Sequence, residues 1–243
     1  MEKTLVVSNY NWDLEWLKMT YDYGFSPQNT VIYDKSDVDK DLSHLGEVIK
    51  SPNVGANQFD ILRFIIENYE NLPDISIFIK GNLFSRGENY YTTEEKFVKA
   101  LNSTELFSIW VDKNVLVGDL RHTDYTPLET LNKGRLIQPV AWCNYEHNSD
   151  LENRHFCNHH EVLDWCFVDP PKTNTIEFIP ASNFAVPKEA ILKYSKDVYE
   201  KMVSCLFYEP DSRYDPTCAE AHMIERMFYL IWSEDLVEKI TNV

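Results

Sequence analysis

The first third of the chain alternates short unbroken apolar runs with stretches of helical period. "KTLVVSNY" and "TVIYDK" are β-branched runs that predict strands, and "GEVIK" predicts a short third one. Between the first two, "DLEWLKMTYDYG" predicts a helix stopped at Gly24. The stretch "PNVGANQFD" then opens an amphipathic helix, "NQFDILRFIIENYENL", on which Phe59, Leu62, Ile66 and Tyr69 recur at helical spacing. Pro73 breaks it, and "DISIFIKGN" predicts a fourth strand whose run "ISIFI" implies burial on both faces. This β-α-β-β-α-β order predicts an α/β fold with a mostly parallel central sheet flanked by helices.

The second half is less regular. "RLIQPVAW" (135–142) reads as a strand, and 143–169 as a polar, aromatic segment rich in His and Cys. After it come "TIEFIPASNFAVP" (175–187), a helix from about Lys188 to Leu206, and a last helix containing "AEAHMIERMFYLIWSED". No repeat, low-complexity tract or linker interrupts the chain, so 1–243 is expected to form a single domain.

In parallel sheets, ligands bind in the crevice beyond the carboxyl ends of the strands. The residues there are "NYNWD" (9–13), "DKSD" (34–37), "PNVG" (52–55) and "KGN" (80–82), all polar clusters. Composition narrows what such a crevice holds. At 44% hydrophobic and 14% aromatic residues, the chain is globular. A formal net charge of -16 argues against a nucleic-acid or anionic membrane partner, yet permits an anionic ligand in a local basic pocket. Five cysteines without regular spacing predict reduced thiols. No apolar leader and no run of about 20 apolar residues occurs. The expected setting is therefore the cytoplasm, with no membrane span.

Taken together, the strand ends resemble a known family. "VVSNYNWDLEWL" is similar to the first strand and turn of GT-A glycosyltransferases, and "VIYDKSD" to their second strand with its acidic end. "SPNVGANQFDILRFIIENY" is similar to the N-x-G turn and helix that follow their third strand. More closely, "NWDLEWL", "PNVGANQFDILRFIIENYENLPDISIFIKGN", "NFAVPKEAILKYSKDVYEKM" and "MIERMF" resemble, in order, the motifs of a glycosyltransferase-like family of unknown function. Those motifs are of the types N-E-D-l-x-W-l, p-N-v-G, F-a-V-x-r-e-x-I and l-E-R-x-W, and they span roughly half the chain.

The resemblance implies a GT-A-like (Rossmann-like) fold and transfer of a sugar from a nucleotide diphosphate to a hydroxyl acceptor. Residues 1–110 would form the nucleotide-sugar half and 111–243 the acceptor half. Asn9, Asn11 and Asp13 would line the nucleotide site, and Asp34 would meet the base or ribose. Gly55 would bring backbone close to ligand, and Asn53 would take an unusual backbone conformation. The helix N-terminus beyond them favours negative charge. Asn-x-Gly before a helix reads equally as a plain turn and cap.

The chain departs from the pattern where the family carries its metal-binding D-x-D, for here stands Lys80-Gly81-Asn82. Mg²⁺ or Mn²⁺ wants anionic oxygen ligands. The expectation is metal-independent transfer, with Lys80, Asn82 or Arg86 facing the diphosphate. No metal ligand or other cofactor is assigned. Glu225 matches the family's late acidic position and is the expected base, its apolar neighbours Met223, Ile224, Met227 and Phe228 predicting a raised pKa. It reads also as a helical Glu paired with Arg226. Glu220 and Asp169 stand in reserve. Ser182, Asn183 and Trp165 are the expected acceptor contacts, and Phe184 is expected to pack against the fold.

Two other readings remain. One is a non-catalytic glycan- or nucleotide-binding module of the same fold, favoured by the missing D-x-D. The other is a zinc protein using His155, Cys157, His159, His160 and Cys166. Their spacing fits no standard finger, ribbon or H-E-x-x-H motif, so 155–166 reads rather as a polar loop.

Overall fold

The two most apolar predicted strands lie side by side in the middle of one sheet. In the computed structural model, residues 1–84, 93–109, 156, 159–170, 180–206 and 219–238 are described, with the strand backbone of 130–131, 135–139 and 175–178. The first half supplies β1 (Lys3–Asn9), β2 (Thr30–Asp34), β3 (Glu47–Lys50), α1 (Ala56–Glu67), β4 (Ile75–Lys80), α2 (Glu94–Asn102) and β5 (Phe107–Ser108). The second supplies β6 (Thr130–Leu131), β7 (Arg135–Pro139), α3 (His159–Cys166), β8 (Phe167–Val168) and β9 (Thr175–Phe178). It continues with β10 (Phe184–Pro187), α4 (Lys188–Ile191), α5 (Lys196–Leu206), α6 (Ala219–Ser233) and β11 (Val237–Glu238).

Six strands form the main sheet in the order β3-β2-β1-β4-β10-β5. The first four run parallel, and β10 lies antiparallel between β4 and β5. The fold is thus mixed α/β with a largely parallel sheet, as expected. The chain moves outward from β1 through β2 to β3, then α1 carries it back to β4 on the other side of β1. That reversal is a topological switch point. β7 joins β6 and β9 in a separate antiparallel sheet, and β8 pairs with β11.

Burial explains the strand sequences. Leu5, Val6 and Val7 of β1 and all of Ile75–Ile79 in β4 are buried, so neither strand alternates. Phe78 meets Phe64 of α1 and stacks on Trp232 of α6, and Phe184 of β10 packs edge-on to Trp232. A cluster of Trp16, Phe84 and Phe97 joins α2 to the segment after β1.

Several expected helices differ in detail. Residues Glu15–Tyr23 form a 3-10 helix rather than an α-helix, ended by Gly24 as expected. The α1 helix stops at Glu67, and Tyr69 falls in the following 3-10 turn. Its buried surface is also wider than one stripe, because α5 and α6 both pack over it. The single helix expected over 188–206 is two. The break spans Leu192–Ser195, where the C-terminal segment meets the chain: the Tyr194 hydroxyl donates to Glu234 O (2.7 Å), and Ser195 Oγ to Glu238 Oε2 (2.6 Å). Within 155–166, the expected polar loop is in fact α3 from His159 onward.

Candidate functional site

Asn9 and Asp34 end β1 and β2 in register, and their side chains join. Asp34 is buried. Its Oδ1 accepts from Asn9 Nδ2 (3.1 Å), Ser36 Oγ (2.5 Å) and the Ser36 N–H (3.3 Å). Its Oδ2 accepts from Lys50 Nζ at 3.2 Å. Burial pushes this carboxyl up, but the bonds from Ser36, Lys50 and Asn9 outweigh it and leave the pKa below its ordinary value. Asp34 therefore first builds the crevice, and only Oδ2 retains a free lone pair. Around it Asn11, at φ 62, receives its order from the same loop: its N–H donates to Ser36 Oγ (2.8 Å) and its Oδ1 accepts from the Asp37 N–H (3.2 Å). Tyr10, half exposed at the rim, donates its hydroxyl to Asp37 Oδ2 at 2.9 Å.

The turn 52–56 is held from below by Lys35. This buried ammonium donates to Val54 O (3.0 Å) and Ala56 O, and pairs with the buried Asp60 Oδ2 at 3.3 Å. Ser51 Oγ completes the pair's shell by donating to Asp60 Oδ1 (2.6 Å). Burial lifts the Asp60 carboxyl to about 6 against the pull of Lys35, and lowers Lys35. The left-handed conformations fall on Gly55 (φ 60) and Ala56 (φ 49), not on Asn53 as expected, and Asn53 is exposed. At Gly55 a Cβ would also stand 2.8 Å from Leu206 Cδ1, so the glycine permits both the turn and the approach of α5.

At the end of β4 the two halves of the chain meet. The Lys80 N–H donates to Asn183 Oδ1 (2.9 Å), and the Gly81 N–H to Ser8 O (2.8 Å). Ala181 and Ser182 sit at φ 68 and 50, a left-handed pair costing on the order of 1 kcal/mol each. Three bonds hold that turn: Asn57 Nδ2 to Ala181 O (2.9 Å), Gln58 Nε2 to Ser182 Oγ (3.1 Å), and the Ala181 N–H to Glu225 Oε1 (2.6 Å). Buried Asn57 Oδ1, Gln58 Oε1 and Asn183 Nδ2 have no partner among the described residues.

Glu225 reverses its expected electrostatics. It is buried as predicted, and burial alone raises its pKa, but His222, Arg226 and Lys80 overcome that and bring it to about 2. Its Oε2 lies 3.2 Å from Arg226 Nη1 and 3.7 Å from His222 Nδ1.

Of the expected site residues, Asn9, Asp34 and Lys80 end β1, β2 and β4, Asn11 and Gly55 lie in the segments just beyond strand ends, and Asn183 bonds to Lys80 while Glu225 bonds to Ala181. Asp13 and Asn82 fall in the flanking segments, where Asp13 Oδ1 accepts the Glu15 N–H at 2.9 Å. Ser182 and Asn183 are fully buried, with Ser182 Oγ and Asn183 Oδ1 bonded, which makes them wall rather than open surface. Phe184 is core, as expected. Glu220 is buried in the first turn of α6. Asp169 (φ 46) and exposed Trp165 lie on the β8 and α3 side, away from the strand ends. Arg86, His155, Cys157 and the side chain of His159 lie outside the described residues. Cys166 is fully buried core, six residues along α3 from His160 and so on another face. Among the described residues no three His, Cys, Asp or Glu gather as a metal site, and no helix is long and apolar enough to cross a membrane. Sequence reading placed Lys35 and Ser36 in the strand-end cluster 34–37 without assigning either a role, and passed over Lys50, Gln58 and His222. Position just beyond a strand end was the available signal for the first two.

A model of a family described as a protein of unknown function (DUF3431) matches residues 5–241. No curated protein and no solved structure matches the chain.

Proposed function

The chain belongs to the DUF3431 family, and we propose that it is a glycosyltransferase using a nucleotide-diphosphate sugar bound across the β1–β4 switch point. The observation that carries this reading is the convergence there of Asn9, Asp34, Lys80 and the 181–183 turn at the carboxyl ends of parallel strands. In this reading the nucleoside lies toward β1 and β2, against Asn9, Asn11 and the free lone pair of Asp34. The diphosphate lies toward Lys80, whose charge neutralises the leaving group.

The metal of the resembling enzymes does not fit. At their D-x-D position the side chain is a lysine near enough to Glu225 to lower its pKa, and the next residue is glycine. No step is therefore routed through a divalent cation.

The test is a thermal-shift screen of uridine, guanosine and cytidine nucleotides and their sugar conjugates, each with EDTA and with Mn²⁺. A ligand at 100 times its Kd adds about 2.7 kcal/mol to the native state. The expected result is a shift from one nucleotide class that persists in EDTA. A shift requiring Mn²⁺ would overturn the metal-free assignment, and no shift with any nucleotide would overturn the donor site. A binding module without turnover is the second reading. What favours it is Glu225, since a carboxylate held near 2 is a weak base at neutral pH.

A further inference from the structure

Transfer of the kind proposed above, when it inverts the anomeric centre, needs a base for the acceptor hydroxyl, and Glu225 is committed elsewhere. Its Oε1 holds the Ala181 N–H at 2.6 Å and its Oε2 lies 3.2 Å from Arg226 Nη1. Yet Oε2 also lies 3.7 Å from His222 Nδ1, one turn earlier on the same face of α6. The two partners differ in environment: the His222 side chain is 33% exposed, whereas Glu225 is buried. Lys80, at the end of β4, contributes to the field on Glu225. A buried anion thus stands behind a solvent-reachable imidazole beside the switch point. At 3.7 Å the carboxylate acts on the Nδ1 side of the histidine through its charge rather than a hydrogen bond, and favours the ring orientation that turns that side toward it.

We infer that His222 is the general base of the proposed transfer and Glu225 the residue that positions it; the inference rests on the transferase reading. The acceptor O–H bond breaks and its proton passes to His222 Nε2. The acceptor oxygen bonds to the anomeric carbon, whose bond to the diphosphate oxygen breaks with the electron pair leaving on the nucleoside diphosphate. His222 then returns the proton to solvent. Arg226 and Lys80 bring positive charge to the pair. The uncharged turn at 181–182, held by Asn57 and Gln58, meets the pair through the Ala181 N–H. α3, packed on α6, carries His160, Glu161 and Asp164, and α5 carries Lys201 paired to Asp197 at 3.0 Å.

The experiment measures release of nucleoside diphosphate from uridine- and guanosine-diphosphate sugars with water as acceptor, alongside donor binding by calorimetry. Wild type, His222→Gln and Glu225→Gln are compared as full chains. His222→Gln is expected to bind donor within about twofold of wild type and to lose about 10²- to 10⁴-fold in kcat. Glu225→Gln is expected to lower kcat while donor affinity stays within about twofold of wild type, a split that a merely structural residue would not produce. His222 gives the fold only a one-third-exposed side chain, so His222→Gln decides the matter even if Glu225→Gln unfolds. Wild-type turnover by His222→Gln would overturn the base and leave the transferase standing. A wild type that releases no diphosphate from any donor would overturn both.

Discussion

Gly81 has no side chain because Asn9 occupies the space where one would begin: a Cβ there would stand 2.6 Å from Asn9 Oδ1 and 3.1 Å from Leu14 Cδ2. Asn9 is also bonded to Asp34, so a shift at Gly81 is transmitted to the whole crevice. Gly81→Ala is expected to cost about 1–3 kcal/mol in urea denaturation and to abolish the nucleotide-dependent thermal shift. An unaltered shift would separate Gly81 from the site. Glu225 makes a prediction in pH. Its folded pKa, about 2, lies below the ordinary 4.5, so its stabilisation is complete above pH 4.5 and is lost as pH falls toward 2. A displacement of that size is worth about 3 kcal/mol. The stability gap between wild type and Glu225→Gln should therefore shrink between pH 5 and pH 2.5, and a gap independent of pH would contradict the assignment. The polar residues at strand ends were legible because each follows an apolar run. The sign of the Glu225 shift was not, since it depends on Lys80, far away in sequence, and on which way Arg226 and His222 turn.

At the scale of elements, the turn before α1 depends on one buried cation. Lys35 holds the carbonyls of Val54 and Ala56 and faces Asp60. Lys35→Met removes the partner of a buried carboxylate and leaves two carbonyls without their donor, and is expected to cost about 3–5 kcal/mol. Lys35→Met with Asp60→Leu should recover most of that loss, because the apolar pair leaves no charge behind. A double variant as unstable as the single one would place the cost in the turn alone. The strands themselves were legible from unbroken apolar runs, which is how β1, β2 and β4 read correctly. The helices were less so. The break in "AILKYSKDV" spans Leu192–Ser195, where the Tyr194 hydroxyl donates to Glu234 O and Ser195 Oγ to Glu238 Oε2, contacts from the C-terminal segment that the local sequence does not reveal. The antiparallel insertion of β10 was equally hidden, for its pairing with Phe78 and Ile77 joins positions about a hundred residues apart.

The whole molecule is tied together by that insertion. β10, from the second half, sits between β4 and β5, both from the first. α5 and α6, also from the second half, cover α1, and Trp232 stacks on Phe78 at a centroid distance of 6.1 Å. The crevice has the same dual origin, because Asn57 and Gln58 hold a turn at 181–182. Residues 1–110 alone would therefore leave β4 with an unpaired edge and expose Phe59, Phe64 and Phe78, all buried in the intact chain. Two expected outcomes follow from a shared sheet and core. The full chain should unfold in one transition, with far-ultraviolet and near-ultraviolet circular dichroism coinciding, the latter reporting the stacked Trp232. The fragment 1–110 should show no cooperative transition. A cooperative fragment, or two separated transitions in the full chain, would mean that the first half is a folding unit to which the rest is appended. In that case the strained 181–182 turn could form and release without the sheet beneath it unfolding.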